Sequence, residues 1–204
     1  MALNFANNNS LSAITAKPSG LSGGALNLIS TQTASSSSTI SFTSGIDSTY
    51  DEYVFKFYDI HPATNNQDIQ FNGSVDGGSN YNVTKTSTTF QAQHDEADSE
   101  ALLQYNTDRD LAQSTSAQRF SLQIGNDNDQ SVVGTLHLFD PSNTTFVKNF
   151  LFRGISPYPS SDSDGMKDQL VAGYANTTSA VNAIQFKMLS GNIDSGTNKL
   201  YGVS

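Results

Sequence analysis

The residues with chemistry to offer are few, and their spacing tests each in turn. Gly20-Leu21-Ser22-Gly23-Gly24 matches the G-x-S-x-G turn that presents a serine nucleophile. That chemistry needs the serine on a strained strand-to-helix turn, with a histidine and an acid converging on it. Lys17-Pro18-Ser19 precedes the motif and a strand-like run follows it, a context that fits a glycine-rich hinge. His61, His94 and His137 lie on three separate segments with no local partner, whereas a metal site needs at least three convergent ligands. Carboxylates cluster at Asp95, Glu96, Asp98 and Glu100, and again at Asp162, Asp164 and Asp168. A glycosidase needs two carboxyls facing each other across a cleft, and neighbours in one loop do not supply that, so both clusters read as solvated loops. Asp162-Ser163-Asp164-Gly165 is half of a calcium loop. Ser160 stands at the first acidic position and Val171 at the closing bidentate one, which leaves the set incomplete. Tyr81, Tyr105 and Tyr158 fall in loop-like contexts from which a ring could stack on a sugar.

Behind these candidates is a scaffold of β-strands. The chain has 204 residues, 29 of them Ser, 19 Thr, 19 Asn and 12 Gln, yet its 12 Phe and 8 Tyr carry a large apolar load. With only 14% charged residues, that load predicts a soluble β protein, not a disordered one. The absence of Cys excludes disulfides, thiolate metal sites and Cys nucleophiles. A net charge of −9 argues against binding a phosphate backbone. No apolar run exceeds three residues, so no membrane span is expected, and Met1 to Ser10 lacks the pattern of a signal peptide. The five N-x-S/T sequons, at Asn8, Asn72, Asn82, Asn143 and Asn176, are what this Asn-, Ser- and Thr-rich composition produces by chance.

Short alternating runs predict eleven strands between Ala25 and Val203, separated by turns such as Asp76-Gly77-Gly78 and Asn126-Asp127-Asn128-Asp129. Tyr53, Phe55 and Phe57 share one face of their run with Lys56 on the other, as do Phe120, Leu122 and Ile124 against Ser121 and Gln123. The expected core is Phe55, Phe57, Phe71, Phe120, Leu122, Ile124, Leu136, Leu138, Phe150, Ile184 and Phe186. One short helix is expected, Asp98 to Asp108. The predicted fold is all-β, an antiparallel jelly-roll-like β-sandwich over residues 25–204 with an extended N-terminal arm over residues 1–24. In the arm Phe5, Leu11, Ile14 and Leu21 are too widely spaced among Asn and Ser to offset their own ordering entropy, so they are the candidate partner-binding residues.

Several stretches form a familiar set: Met1-Ala2-Leu3 into Phe5-Ala6-Asn7-Asn8-Asn9-Ser10-Leu11, Ser30 to Asp47, Tyr50 to Phe57, Ile60-His61-Pro62 and Asp76 to Tyr81. Ile124 to Ser131, Asn176 to Ala180, Ile184 to Met188, Ser190 to Gly196 and Leu200-Tyr201-Gly202-Val203 complete it. The chain resembles, over nearly its whole length, the virion structural proteins of marine tailed phages that infect cyanobacteria and other ocean bacteria. Its closing segments are similar to those of phage tail and fibre β-sandwiches. The resemblance implies a non-enzymatic virion component, capsid-decorating or tail-associated, assembled in the host cytoplasm with other virion proteins and needing no cofactor. A symmetric homo-oligomer, a trimer favoured, follows from the need to cover sheet edges. The alternative is a tail-fibre module that binds a host-surface glycan.

Overall fold

Strict alternation of side chains decides which residues meet the core. In the computed structural model, which describes residues 25–159 and 164–204, the chain forms twelve strands, most of which keep that alternation, and there is no helix among the described residues. They are β1 (Leu26–Ser37), β2 (Ile40–Phe42), β3 (Glu52–Pro62), β4 (Gln67–Ser74), β5 (Lys85–Asp95) and β6 (Ala101–Tyr105). Then come β7 (Gln118–Ile124), β8 (Val132–Phe139), β9 (Lys148–Tyr158), β10 (Gly165–Ala175), β11 (Ala183–Met188) and β12 (Ile193–Val203). An eight-stranded sheet, in the order β1-β12-β3-β8-β9-β10-β5-β6, faces a four-stranded sheet in the order β2-β11-β4-β7. Every pairing between these strands is antiparallel, and the two sheets form the sandwich that the alternation predicts.

The pairings are nested. β1 pairs with β12, β2 with β11, β3 with β8 and β4 with β7, so the chain runs out and back along one folded ribbon. The ribbon closes on itself where β12 meets β3 and β11 meets β4. Two hairpins stand outside this nesting, β5–β6 and β9–β10, and they extend the long sheet by four strands beyond β8. Glycine is required at one register shift between β12 and β3. Gly196 has φ +118, and a Cβ there would lie 2.6 Å from the carbonyl oxygen of Asp59.

All eleven residues expected in the core are buried. Phe186 sits at its centre, with ring centroids 5.0 Å from Phe57, 5.3 Å from Phe55 and 6.0 Å from Phe120. Each buried ring stabilises the fold by roughly 1.5–3 kcal/mol over an exposed one.

Three expectations are corrected. In place of the helix at Asp98 to Asp108, Ala101–Tyr105 forms the edge strand β6, in register with β5 from Phe90↔Tyr105 to His94↔Ala101. A segment this short gains too little from helix formation, while the open edge of β5 supplies partners at once. β10 begins at Gly165 and not at Leu170, because Lys167 and Gln169, polar enough to read as loop, point into the protein. Asp168 therefore lies on a strand, where it takes two bonds from Arg153, at 2.7 and 3.2 Å. The arm residues Phe5, Leu11, Ile14 and Leu21, the Gly20–Gly24 motif and most of the Ser160 to Asp164 half-loop lie outside the described residues.

Candidate functional site

The outer face of the small sheet carries a polar groove. Alternation along β4 turns Ile69 and Phe71 inward and leaves Asp68, Gln70 and Asn72 on the opposite face. On β11, Ile184, Phe186 and Met188 go in while Gln185 and Lys187 go out. Register then places Lys187 and Arg119 on either side of Gln70, and Gln185 beside Asn72. The connection from β6 to β7 passes over this face. Tyr81 closes the other end, following the Asp76-Gly77-Gly78 turn. Two adjoining cavities of about 210 and 410 Å³ share Ala117 and Lys187. Tyr81, Asn72 and Gln185 line the first, and Gln70, Arg109 and Arg119 the second.

The floor of the groove is held in place by hydrogen bonds. Asp68, 4% exposed, accepts from the Gln123 backbone N–H at 2.8 Å, and its other oxygen lies 3.3 Å from Arg109 Nε and 3.4 Å from an Arg119 nitrogen. Arg109 Nε lacks the alignment of a hydrogen bond to that oxygen and is buried without another partner. Asn72 donates to the Thr115 carbonyl at 2.9 Å and accepts from Lys85 Nζ at 2.6 Å. At the turn, Asp76 accepts from Ser74 Oγ at 2.6 Å and from the Asn80 backbone N–H at 2.9 Å, and these donors hold its carboxyl down at about 2. Planar amides, guanidinium groups, an ammonium and a tyrosine ring in one groove suit a ligand rich in hydroxyl or carboxylate groups.

Elsewhere the sequence candidates take structural roles. His94 Nε2 lies 3.1 Å from Asp98 Oδ1, and His137 Nδ1 lies 2.5 Å from Glu52 Oε1. Asp95 caps the β5–β6 turn, accepting backbone N–H bonds from Ser99 at 2.8 Å and Glu100 at 2.9 Å. Asp164 accepts from Gln130 Nε2 at 3.2 Å. Of the three tyrosines, Tyr81 alone lines the groove. Tyr105 ends β6 with its hydroxyl donating to Asp110, and Tyr158 is buried at the end of β9 with its hydroxyl donating to Glu100. His61 borders an open cleft of about 380 Å³ with Asp59, Asp129 and Asp194, where the end of β3, the start of β12 and the β7–β8 turn converge, an arrangement that no local spacing announces. Among the described residues no three His, Asp or Glu side chains are placed to hold a metal ion, and no helix is long and apolar enough to cross a membrane.

A second feature, also missed by motif reading, is an inversion of polarity in the long sheet. On β5 the inward positions are Lys85, Ser87, Thr89 and Gln91, and on β10 they begin with Lys167 and Gln169. The face of these strands turned to solvent carries Phe90, Leu103, Tyr105, Leu151, Ile155 and Met166 across β6, β5, β10 and β9. These six are half of the exposed large apolar side chains among the described residues. Within the patch, a shallow cavity of about 290 Å³ is walled by Phe90, Ala92, Leu103 and Leu170 and by the Arg153–Asp168 pair. A signal for it existed in the sequence, since Phe90 and Ala92 alternate with Thr89, Gln91 and Gln93, but alternation alone does not say which face is inside. The chain matches no family model, no curated protein and no solved structure.

Proposed function

We propose that this chain is a non-enzymatic virion structural protein of a tailed phage, capsid-decorating or tail-associated, attached to the particle through residues 1–24. The observation that carries the reading is the apolar outer face of β6, β5, β10 and β9, a surface of the kind that marks a site of protein–protein contact. The nested strand order supports it. We read β1-β12-β3-β8 facing β2-β11-β4-β7 as a jelly-roll winding, an architecture that recurs in viral capsid and lectin domains. Fold by itself leaves the function open, so the attachment role rests on the surface and on the arm. Deleting residues 1–24 tests it. The truncated protein should melt at nearly the same temperature and be missing from purified particles. Normal incorporation of a folded truncation would overturn the reading, and failure to fold would make the arm a strand of the sandwich.

A second reading is favoured by the groove on the small sheet: a receptor-binding module that takes a host-surface glycan between Tyr81 and Arg119. Calorimetric titration with host-surface polysaccharide should detect binding that Lys187→Ala and Arg119→Ala both weaken. No heat with the intact chain would remove this reading.

A further inference from the structure

Along β3 the sheet is built in the ordinary sense, with Tyr53, Phe55 and Phe57 inside and Glu52, Lys56 and Tyr58 outside. Along β5 and β10 the sense is reversed, and a sheet face as apolar as the one they turn outward behaves as an inner face when something covers it. Among the described residues β6 is paired on one side only; it ends the sheet beside this face and offers its outer row of backbone groups to another strand.

We propose that this face and the β6 edge are the acceptor site for residues 1–24 of a second copy of the chain, which makes the assembly head-to-tail. This rests on the attachment reading of the arm and names what the arm attaches to. The position of the arm supports it. Residues 1–24 enter the fold just before β1, and β1 and β6 are the opposite edges of one sheet. Copies set with the β1 edge of one against the β6 edge of the next therefore bring each arm to an acceptor. Such a heterologous contact gives a ring, a trimer among them, when the rotation between copies closes.

Charge supports the same partner. Residues 1–24 contain one charged side chain, Lys17, so the chain's net −9 becomes −10 over residues 25–204. The β5–β6 turn at the acceptor edge holds Asp95, Glu96, Asp98 and Glu100. Phe5, Leu11, Ile14 and Leu21 supply apolar anchors for the cavity at Phe90 and Leu103.

Charge also selects the neighbour over the arm's own chain. An arm of 24 residues reaches up to about 80 Å, and the eight-stranded sheet is about 34 Å wide, so length permits both. The direct path to its own β6, however, takes the arm and its Lys17 over the neighbouring Lys199 and Lys56 on the outer face. A neighbour's arm avoids them.

The absence of cysteine makes the test clean. Full-length chains carrying one cysteine in the arm (Phe5→Cys, Leu11→Cys, Ile14→Cys or Leu21→Cys) are mixed with full-length Leu103→Cys and oxidised with glutathione disulfide. Seating in a complex raises the effective concentration from micromolar to millimolar, so at least one arm position should give disulfide heterodimer on the order of 100-fold faster than with a Ser48→Cys control. Equal rates with both partners overturn the proposal. So does a double variant that closes only an intramolecular disulfide, because the arm then folds onto its own chain. Leu103→Arg separates this from the attachment reading. If particles need residues 1–24 but accept Leu103→Arg normally, attachment stands and this acceptor site falls.

Discussion

Two halves of one interior are held together by opposite means. Between the small sheet and β3, β8 and β9, the space is filled by interlocking phenylalanine rings, Phe120 and Phe152 with centroids 4.6 Å apart and Phe71 and Phe150 5.1 Å apart. A few strands along, behind β5 and β10, it is filled by a hydrogen-bonded network. Gln118 accepts from Ser87 Oγ at 2.5 Å and donates to the backbone carbonyls of Arg109 and Arg119 at 3.0 and 2.7 Å. Gln169 donates to Ser156 Oγ at 3.2 Å, and Lys167 donates to Gln123 while its Nζ lies 4.4 Å from the centre of the Tyr158 ring. The first half gains from removing apolar surface from water. The second largely exchanges bonds with water for bonds within the protein, a smaller net gain for each contact. The difference explains the outer face: where the inward positions are given to polar groups, the apolar residues of the same strands stand outside.

The largest effect should come from the aromatic half. Phe186→Ala removes the ring at the centre of the cluster and should cost on the order of 3–5 kcal/mol in urea unfolding. A loss below about 1 kcal/mol would mean that the ring cluster is not what holds the sheets together. In the polar half, Gln118→Ala removes the acceptor of the Ser87 hydroxyl and the donor to the Arg109 and Arg119 carbonyls, and should cost about 1–3 kcal/mol. A loss equal to that of Phe186→Ala would erase the distinction between the halves.

The third prediction uses pH. Burial pushes the Lys85 amine from 10.5 down to about 7, and that of Lys167 down to about 8. Between these values and the ordinary lysine range the unfolded chain binds protons that the folded chain does not, so their effect is to raise stability as pH rises across that window. Below pH 7 the cost of burying both charges is present in full. The stability of the parent relative to Lys85→Met should therefore climb by up to about 1.4 kcal/mol per pH unit above pH 7. Urea unfolding of both proteins at pH 6, 7.5 and 9 measures it, and parallel pH profiles would show that Lys85 stays charged in the fold.

These contrasts mark what could be read from the sequence. The run Tyr53 to Phe57 announced its strand and buried face because aromatic residues alternate there along one side. Phe120 to Ile124 announced its strand but not its faces, because Ser121 is buried beside Ser156 and Gln169 and the backbone turns irregular at Gln123, with φ 56. The Asp76-Gly77-Gly78 turn was legible too, since Gly77 and Gly78 have φ of 71 and 92, a region open to glycine. β10 was cut short because Lys167 and Gln169 look like solvent residues until Gln123, distant in sequence on β7, and Ser156 and Tyr158, on the partner strand β9, close around them. The groove was legible only through Tyr81. Arg109, Arg119 and Lys187 come together through the register of three strands and the path of one connection, and neither is written in local spacing.

The smallest effect on stability is expected at the outer face. Leu103 is 75% exposed, so Leu103→Arg should change unfolding free energy by no more than about 0.5 kcal/mol. Its effect on assembly makes it the most direct test of the central claim, that the reversed half of the long sheet is an inner face of an assembly. Light scattering across a concentration series should give the intact chain a mass that is a multiple of 21.8 kDa, and the Leu103→Arg chain 21.8 kDa throughout. A mass of 21.8 kDa for the intact chain at every concentration, or an unchanged oligomer in Leu103→Arg, would contradict it.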